Sequence, residues 1–347
     1  MAFRFLIVLL LGILMSLSVA QAGSVGFRTI RLADPDGRRD LSVALWYSTD
    51  QSDPVTLAGD NPAFIGIPVV ENAVPDNTLR PLVVLSHGHG GNWRNQIWLA
   101  EALVSAGYRV AAPNHPGTTS RDRRPEEAAR LWERPHDLSR VMDALLADPS
   151  LAGPVDPGRI AVIGHSLGGW TALALAGGRF DRARFAKACI QHPEMVASCR
   201  IAEEDGNMGL GTVERAALGQ DMRDPRIRAA ISLDLGLAQG FTPDSLAVIS
   251  VPVLVIAAGD TSSALPTDLE SGYLLNYLPK EGTESLRISD AAHFSFLSLC
   301  KPGATALLED EHPGDGILCH DGGGRDREAI HKQVIDRVLL FLAAALR

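Results

Sequence analysis

The 347-residue chain is 46% hydrophobic, which is enough length and apolar content to bury a large core in a single enzyme-sized α/β domain. It carries 41 Asp and Glu against 32 Lys and Arg, a formal net charge of −9, and phosphate binding needs clustered positive charge, so a nucleic-acid partner is disfavoured. The local basic run Arg121 to Arg124 is interrupted by Asp122 and followed by Glu126 and Glu127, and it reads as a solvated loop.

In chain order, the first segment has the layout of an export signal. Arg4 gives positive charge, Phe5 to Leu14 is an apolar core, and Ala20-Gln21-Ala22 is a small-x-small cleavage site. Residues 1–22 are therefore expected to be removed, leaving 23–347 in the periplasm or the medium with no stable membrane insertion. Phe27 to Ile30 and Leu41 to Trp46 flank an Asp34-Pro35-Asp36-Gly37 turn and read as an antiparallel hairpin. Asp53 to Asn77 reads as an irregular loop, and Leu82 to Leu85 as a buried strand.

That strand runs into Ser86-His87-Gly88-His89-Gly90-Gly91. Acyl transfer places negative charge on the former carbonyl oxygen, so two backbone N–H donors must converge on it, and His89 is the candidate for the first. His87 is expected to fix the loop by side-chain hydrogen bonding. A His-x-His metal pair is the competing reading, but no third ligand follows at helical spacing. A helix through Ile97 to Val104 and a strand at Tyr108 to Ala112 come next. His115, in Pro113-Asn114-His115-Pro116-Gly117, is placed to line a pocket. Glu126 to Leu146 has helical periodicity, with Pro135 expected to break it.

Arg159 to Ile163 is an apolar strand that leads through Gly164-His165-Ser166-Leu167-Gly168-Gly169 into the helix-forming Trp170 to Ala176. Strand, sharp turn and helix together are the setting of a serine nucleophile: the glycines permit a tight turn, Ser166 projects its hydroxyl above the sheet edge, and the Leu167 amide at the helix start is the second oxyanion donor. Residues 179–226 carry no strand signal and read as a small cap insertion over the site, in which Met195, Met208 and Leu210 would either suit a modest apolar acyl chain or simply pack the cap.

Strands resume at Ala229 to Leu233, Val251 to Ala257 and Ser285 to Ile288. A serine hydroxyl needs a histidine to take its proton, and His293, in the loop after the last of these strands, is the best placed of the ten. Histidines 312, 320 and 331 read as loop or surface residues. Two strand ends offer the carboxylate that would orient His293: Asp260, which follows the longer buried run, and Asp234. Asp260 is favoured because its Gly-Asp turn falls beside the histidine loop. Glu328 to Leu346 closes the chain as an amphipathic helix. Four cysteines in an exported chain suggest disulfides. Cys189 with Cys199 and Cys300 with Cys319 is the preferred pairing of the three possible, and none has redox or zinc spacing.

The order Ser166, Asp260, His293, with Leu45-Trp46-Tyr47, the Ser86 to Gly91 loop, the Gly164 to Gly169 elbow and His293-Phe294-Ser295-Phe296-Leu297 before Cys300, resembles the α/β-hydrolase superfamily over nearly the whole mature chain. Within it the chain looks like exported bacterial esterases of the dienelactone-hydrolase-like or platelet-activating-factor acetylhydrolase-like kind. The resemblance implies a mostly parallel central sheet with helices on both faces, and serine hydrolysis of a small-molecule carboxylic ester with no metal or organic cofactor. It implies no oligomeric state. Dienelactone hydrolases use a cysteine nucleophile and position 166 is serine, so that substrate is not carried over. The acetylhydrolases place the acid after the earlier strand, which would favour Asp234. An amidase or peptidase of the same fold, differing in leaving-group protonation, is one alternative. A non-catalytic binding protein, expected to lose a triad member, is the other.

Overall fold

The computed structural model describes residues 24–34, 36–204, 216–259 and 265–347; the expected signal segment, Asp260, Met208 and Leu210 lie outside the described residues. Ten strands form one sheet: β1 Ser24–Leu32, β2 Leu41–Thr49, β3 Val55–Ala58, β4 Ile67–Glu71, β5 Arg80–Ser86, β6 Arg109–Asn114, β7 Val155–His165, β8 Ile227–Leu233, β9 Val253–Ala258 and β10 Thr283–Ile288. Their spatial order is β10-β9-β8-β7-β5-β6-β2-β1-β4-β3. The six strands from β10 to β6 pair in parallel, and β2 joins them antiparallel through Ser42↔Asn114 to Trp46↔Val110.

Parallel strands buried on both faces read as continuous apolar runs. In β5, Leu82 and Val84 enter the core on one side of the sheet while Val83 and Leu85 enter the core on the other. Helix α1 (Ile97–Ser105) covers the second of these faces. Helices α2 (Glu133–Ala147) and α3 (Leu167–Ala176) cover the first. All ten residues of α3 are buried, so it is the central core helix, and it ends at Gly177 with a φ of 117°, a conformation that suits glycine. Helices α4 (Arg182–Gln191) and α5 (Val196–Glu204) follow, joined by the Cys189–Cys199 disulfide. Further helices include α6 (Ser271–Tyr277), α7 (Ala304–Glu311) and α8 (Arg327–Ala345), and short helical turns stand at Pro125–Ala128 and Pro243–Ala247. In α8, Ile330, Val334, Val338, Phe341 and Leu342 form the apolar stripe that packs beside α1, and Asp326 caps it by accepting from the Ala329 amide at 2.8 Å.

The hairpin is the expected one, longer at both strands and closed by the Gly37 amide donating to the Asp34 carbonyl at 2.9 Å. Two expectations change. Asp53 to Asn77 is not all loop: it holds β3 and β4, short strands hidden among Pro54, Gly59, Pro62, Gly66 and Pro68. Pro135 does not break a helix, because α2 starts at Glu133 and the proline sits in its first turn, where no intrahelical N–H is required. The second disulfide, Cys300–Cys319, completes the preferred pairing. Among the described residues, no helix is long and apolar enough to cross a membrane.

Candidate active site

Strand β7 ends at His165 and α3 begins at Leu167, so Ser166 alone makes the turn, with φ 56° and ψ −122°. A non-glycine residue at positive φ stores on the order of 1–3 kcal/mol of strain and persists only where its surroundings fix it. They do so here. The Ser166 amide donates to the Leu233 carbonyl at 2.9 Å. A β-carbon at Gly164 would lie 1.8 Å from the Gly168 carbonyl oxygen, and one at Gly168 would lie 1.9 Å from that of Ser86. Only glycine fits either position.

Because the Ser166 amide is bonded to the end of β8, the next residue along β8 lies beside the serine, and that residue is Asp234. It also has positive φ, 45°. Its Oδ1 accepts from the Ala258 amide at 2.8 Å, and its Oδ2 accepts from His293 Nδ1 at 2.7 Å. With Nδ1 as donor, Nε2 is left to accept from Ser166 Oγ at 3.0 Å. Ser166, His293 and Asp234 are all buried. The carboxylate hydrogen-bonded to His293 is thus that of Asp234, the alternative acid, while the favoured Asp260 lies outside the described residues. The strand next to β7, not the longest apolar run, delivers it.

His293 stands on a short turn, His293–Phe296, held from three directions. His165 Nε2 donates to the His293 carbonyl at 2.9 Å, Trp98 Nε1 to that of Phe296 at 3.1 Å, and His331 Nε2 to that of Ser295 at 2.9 Å. The rings of Trp98 and His331 stack at 3.8 Å. His331 is not the loop or surface residue that the sequence suggests: it lies buried in α8, and burial together with the Arg327 charge lowers its pKa to about 4.

The loop after β5 passes directly over the nucleophile: a β-carbon at Gly88 would sit 3.0 Å from Ser166 Cβ. His87 fixes this loop, its Nδ1–H donating to the Gly88 carbonyl at 2.7 Å and its Nε2 accepting from the His115 amide at 3.0 Å. His89 follows as a partly exposed residue of the same loop, and Leu167 is the buried first residue of α3. Beneath them lies a polar network with no counterpart in the sequence reading. Ser86 Oγ donates to His115 Nε2 at 3.0 Å, and His115 Nδ1 donates to Asp137 Oδ2 at 2.8 Å. Arg39 grips both oxygens of Asp137 at 2.8 Å. Arg134 donates to the His87 carbonyl, to Thr118 Oγ1 at 2.5 Å and to Thr171 Oγ1 at 3.0 Å. His115 is completely buried here and does not line a pocket. Burial, reinforced by the charge of Arg134, holds His87 and His115 well below the ordinary histidine range, so both are neutral.

A second unanticipated group is Glu270, buried just ahead of α6. It accepts from the Ala238 amide at 2.8 Å and from Ser198 Oγ of α5 at 2.5 Å, and Ser198 Oγ in turn accepts from the Leu237 amide at 3.1 Å. Glu270 thereby joins the turn after Asp234 to α5. Met195 is fully buried in the same core. Among the described residues, no group of three or more His, Cys, Asp or Glu side chains is placed to hold a metal ion.

The sheet order, the strained serine between β7 and α3, and the helices on both faces define the α/β-hydrolase fold. Residues 81–182, which contain the loop after β5 and the nucleophile turn, match the family described as alpha/beta hydrolase fold. A solved structure, the ferulic acid esterase from Streptomyces cinnamoneus, superposes with a TM-score of 0.65 and 23% identity over 94% of this chain and 92% of that one. Among characterised proteins, cutinase est2 of Thermobifida alba and cutinase 2 of Thermobifida cellulosilytica are each 32% identical over 108 residues. That is 30% of this chain, and 33% and 38% of theirs respectively, so the chain spans about a third of the length of these relatives.

Proposed function

We infer that the protein is a serine ester hydrolase in which Ser166 is the nucleophile, His293 the general base and Asp234 the acid that orients it. The observation that carries this reading is the hydrogen-bonded line Ser166 Oγ to His293 Nε2 at 3.0 Å and His293 Nδ1 to Asp234 Oδ2 at 2.7 Å, mounted on a strained turn between strand and helix. Ser166 attacks the ester carbonyl while His293 takes its proton. The tetrahedral oxyanion is held by the amides of Leu167 and His89, and collapse expels the alcohol, protonated by His293. Water, deprotonated by the same imidazole, then releases the acid and restores Ser166. Triad, amides and water suffice for this sequence, so it needs no metal or organic cofactor.

The likeness to cutinases and to a ferulic acid esterase favours carboxylic esters over amides or peptides as substrates. We assign residues 179–226 to a cap. In support, α5 lies close enough to the turn after Asp234 that a β-carbon at Gly236 would come 2.9 Å from Ser198 Oγ. Removal of residues 1–22 and release beyond the cytoplasm accord with two disulfides, which persist in oxidising compartments.

The test is hydrolysis of p-nitrophenyl acetate, butyrate and octanoate, with fluorophosphonate labelling, by the mature protein and by Ser166→Ala. Turnover and labelling by the parent, both absent in the variant, are the expected result. A folded parent that neither turns over esters nor takes the label overturns the reading.

A further inference from the structure

Two arginines, Arg94 and Arg121, face each other across a cavity beside the loop after β5. They line this cavity, of about 270 Å³, with Asn92, Trp93, Thr119 and Ser120, and no Asp or Glu contributes to its wall. The Arg94 guanidinium lies 4.2 Å from the Trp93 ring centroid. Arg123 sits against Gly90 of the loop itself, where an added β-carbon would lie 3.1 Å from its Nη2. The neighbouring Arg124 is different: it pairs with both oxygens of Asp122 at 2.9 Å. Among the described residues, no carboxylate makes a salt bridge to Arg94, Arg121 or Arg123. Burial and the facing charge of Arg121 both lower the pKa of Arg94, so these guanidiniums repel each other across the cavity.

Such an arrangement is out of character for a chain with nine more acidic than basic residues, 41 against 32. Like charges held together without counter-charges raise the energy of the empty cavity and lower that of a cavity holding an anion. The position is equally specific. The cavity opens at the carboxyl ends of the strands, as Ser166 does, and its walls run from Asn114 of β6 to Thr29 of β1. In the sheet order those strands lie two and four places from β7, roughly 10–19 Å at the usual strand spacing.

We propose that the Arg94–Arg121 cavity is a subsite for a carboxylate at the far end of the substrate, so that the preferred substrates are esters whose acyl or alcohol part ends in a free carboxylate about 10 Å or more from the scissile bond. The inference rests on the ester-hydrolase reading for its scissile bond and on the cavity alone for its anion. The bidentate guanidinium plane matches a carboxylate, while Asn92 and Ser120 offer additional polar groups at the cavity wall.

The test compares p-nitrophenyl octanoate with the mono-p-nitrophenyl ester of octanedioic acid, which differs by a terminal carboxylate. The parent is expected to have a KM lower by roughly threefold to tenfold for the acidic ester, a preference that shrinks as salt rises from about 0.05 to 0.5 M. Arg121→Glu, at an exposed position that does not endanger folding, and the double variant Arg94→Gln/Arg121→Gln should both abolish that preference while leaving octanoate turnover unchanged. Hydrolysis of both esters by the parent with equal KM overturns the inference and leaves the hydrolase reading intact. If neither ester turns over and no fluorophosphonate label is taken, the hydrolase reading fails and calorimetric binding of octanedioate decides the subsite. Binding by the parent that is lost in Arg121→Glu supports it, and no binding by the parent overturns it.

Discussion

Glu270 and Asp234 are two buried carboxylates tied to the same short turn, the first bonded to the Ala238 amide and the second standing at the start of that turn. Burial, with the charge of Asp234 adding to it, pushes Glu270 up to about 7 from the usual 4.5. A carboxyl whose folded pKa is raised binds its proton more tightly in the native state. Its stabilising contribution is therefore full below pH 4.5 and is lost as pH rises through about 7. The expected result is that the stability difference between parent and Glu270→Gln changes by about 3 kcal/mol or less across that window and is flat outside it. Urea unfolding of both proteins from pH 4 to 8 measures it, and a difference that does not vary with pH contradicts the assignment.

The buried histidines act in the opposite direction. His331 at about 4, and His87, His115 and His165 well below 6.5, are neutral in the native state and must charge to reach the ordinary unfolded range. Depressed histidine values contribute stability above pH 6.5 that disappears as pH falls toward the folded values. The parent should therefore lose stability steeply on acidification from about pH 6.5, and His331→Gln should show a shallower decline than the parent. Thermal denaturation at half-unit pH steps resolves the two slopes.

Asp234→Asn should lower kcat on p-nitrophenyl butyrate by roughly 10³–10⁴-fold, because an amide cannot hold His293 in the tautomer that accepts from Ser166. Asp260→Asn should stay within about twofold of the parent. The reverse ranking would move the acid back to the strand end after β9.

At Gly164 and Gly168 an added methyl meets backbone oxygen at 1.8 and 1.9 Å, so neither Gly164→Ala nor Gly168→Ala should yield soluble folded protein. Gly303→Ala, at φ 82° with nothing within 4 Å of an added β-carbon, should fold with a loss of about 1–2 kcal/mol. Expression and circular dichroism of the three variants check the contrast.

Asp137→Asn removes the negative partner of Arg39 and His115 from a fully buried network, which typically costs about 3–5 kcal/mol. A fall in Tm of roughly 6–15 °C by calorimetry is expected for a chain of this size. A change smaller than about 2 °C would mean that the network is dispensable to stability.

The parts of the site legible in the sequence are those whose chemistry forces a local pattern. Gly164 to Gly168 must be spelled out by neighbouring residues because only glycine tolerates the close approaches there, and the loop from Ser86 to Gly91 is equally contiguous. The acid has no such local requirement. Asp234 and Asp260 both end apolar strands, and the choice between them depends on which strand lies beside β7, a fact of sheet order. Asp137 and Glu270 were invisible for a related reason. Their partners are distant in the chain: Arg39 lies 98 residues before Asp137, and Ser198 lies 72 before Glu270. A buried carboxylate in a sequence looks like any exposed one. Strands β3 and β4 escaped because the prolines and glycines around them are the ordinary marks of loops, and strands of four and five residues carry little alternation to set against that.

The turn bearing His293 is clasped by residues far downstream, with His331 bonded to Ser295 and Arg327 to the Ser298 carbonyl at 3.0 Å. A ribosome that has made Ser166, Asp234 and His293 has therefore made every reacting group and still not a working site. More than thirty further residues must be added before the base is seated. The Cys300–Cys319 disulfide keeps the downstream segment attached after any protease cut between those two residues, so only a cut between 320 and 326 would free the helix that seats the base from the chain that carries the nucleophile.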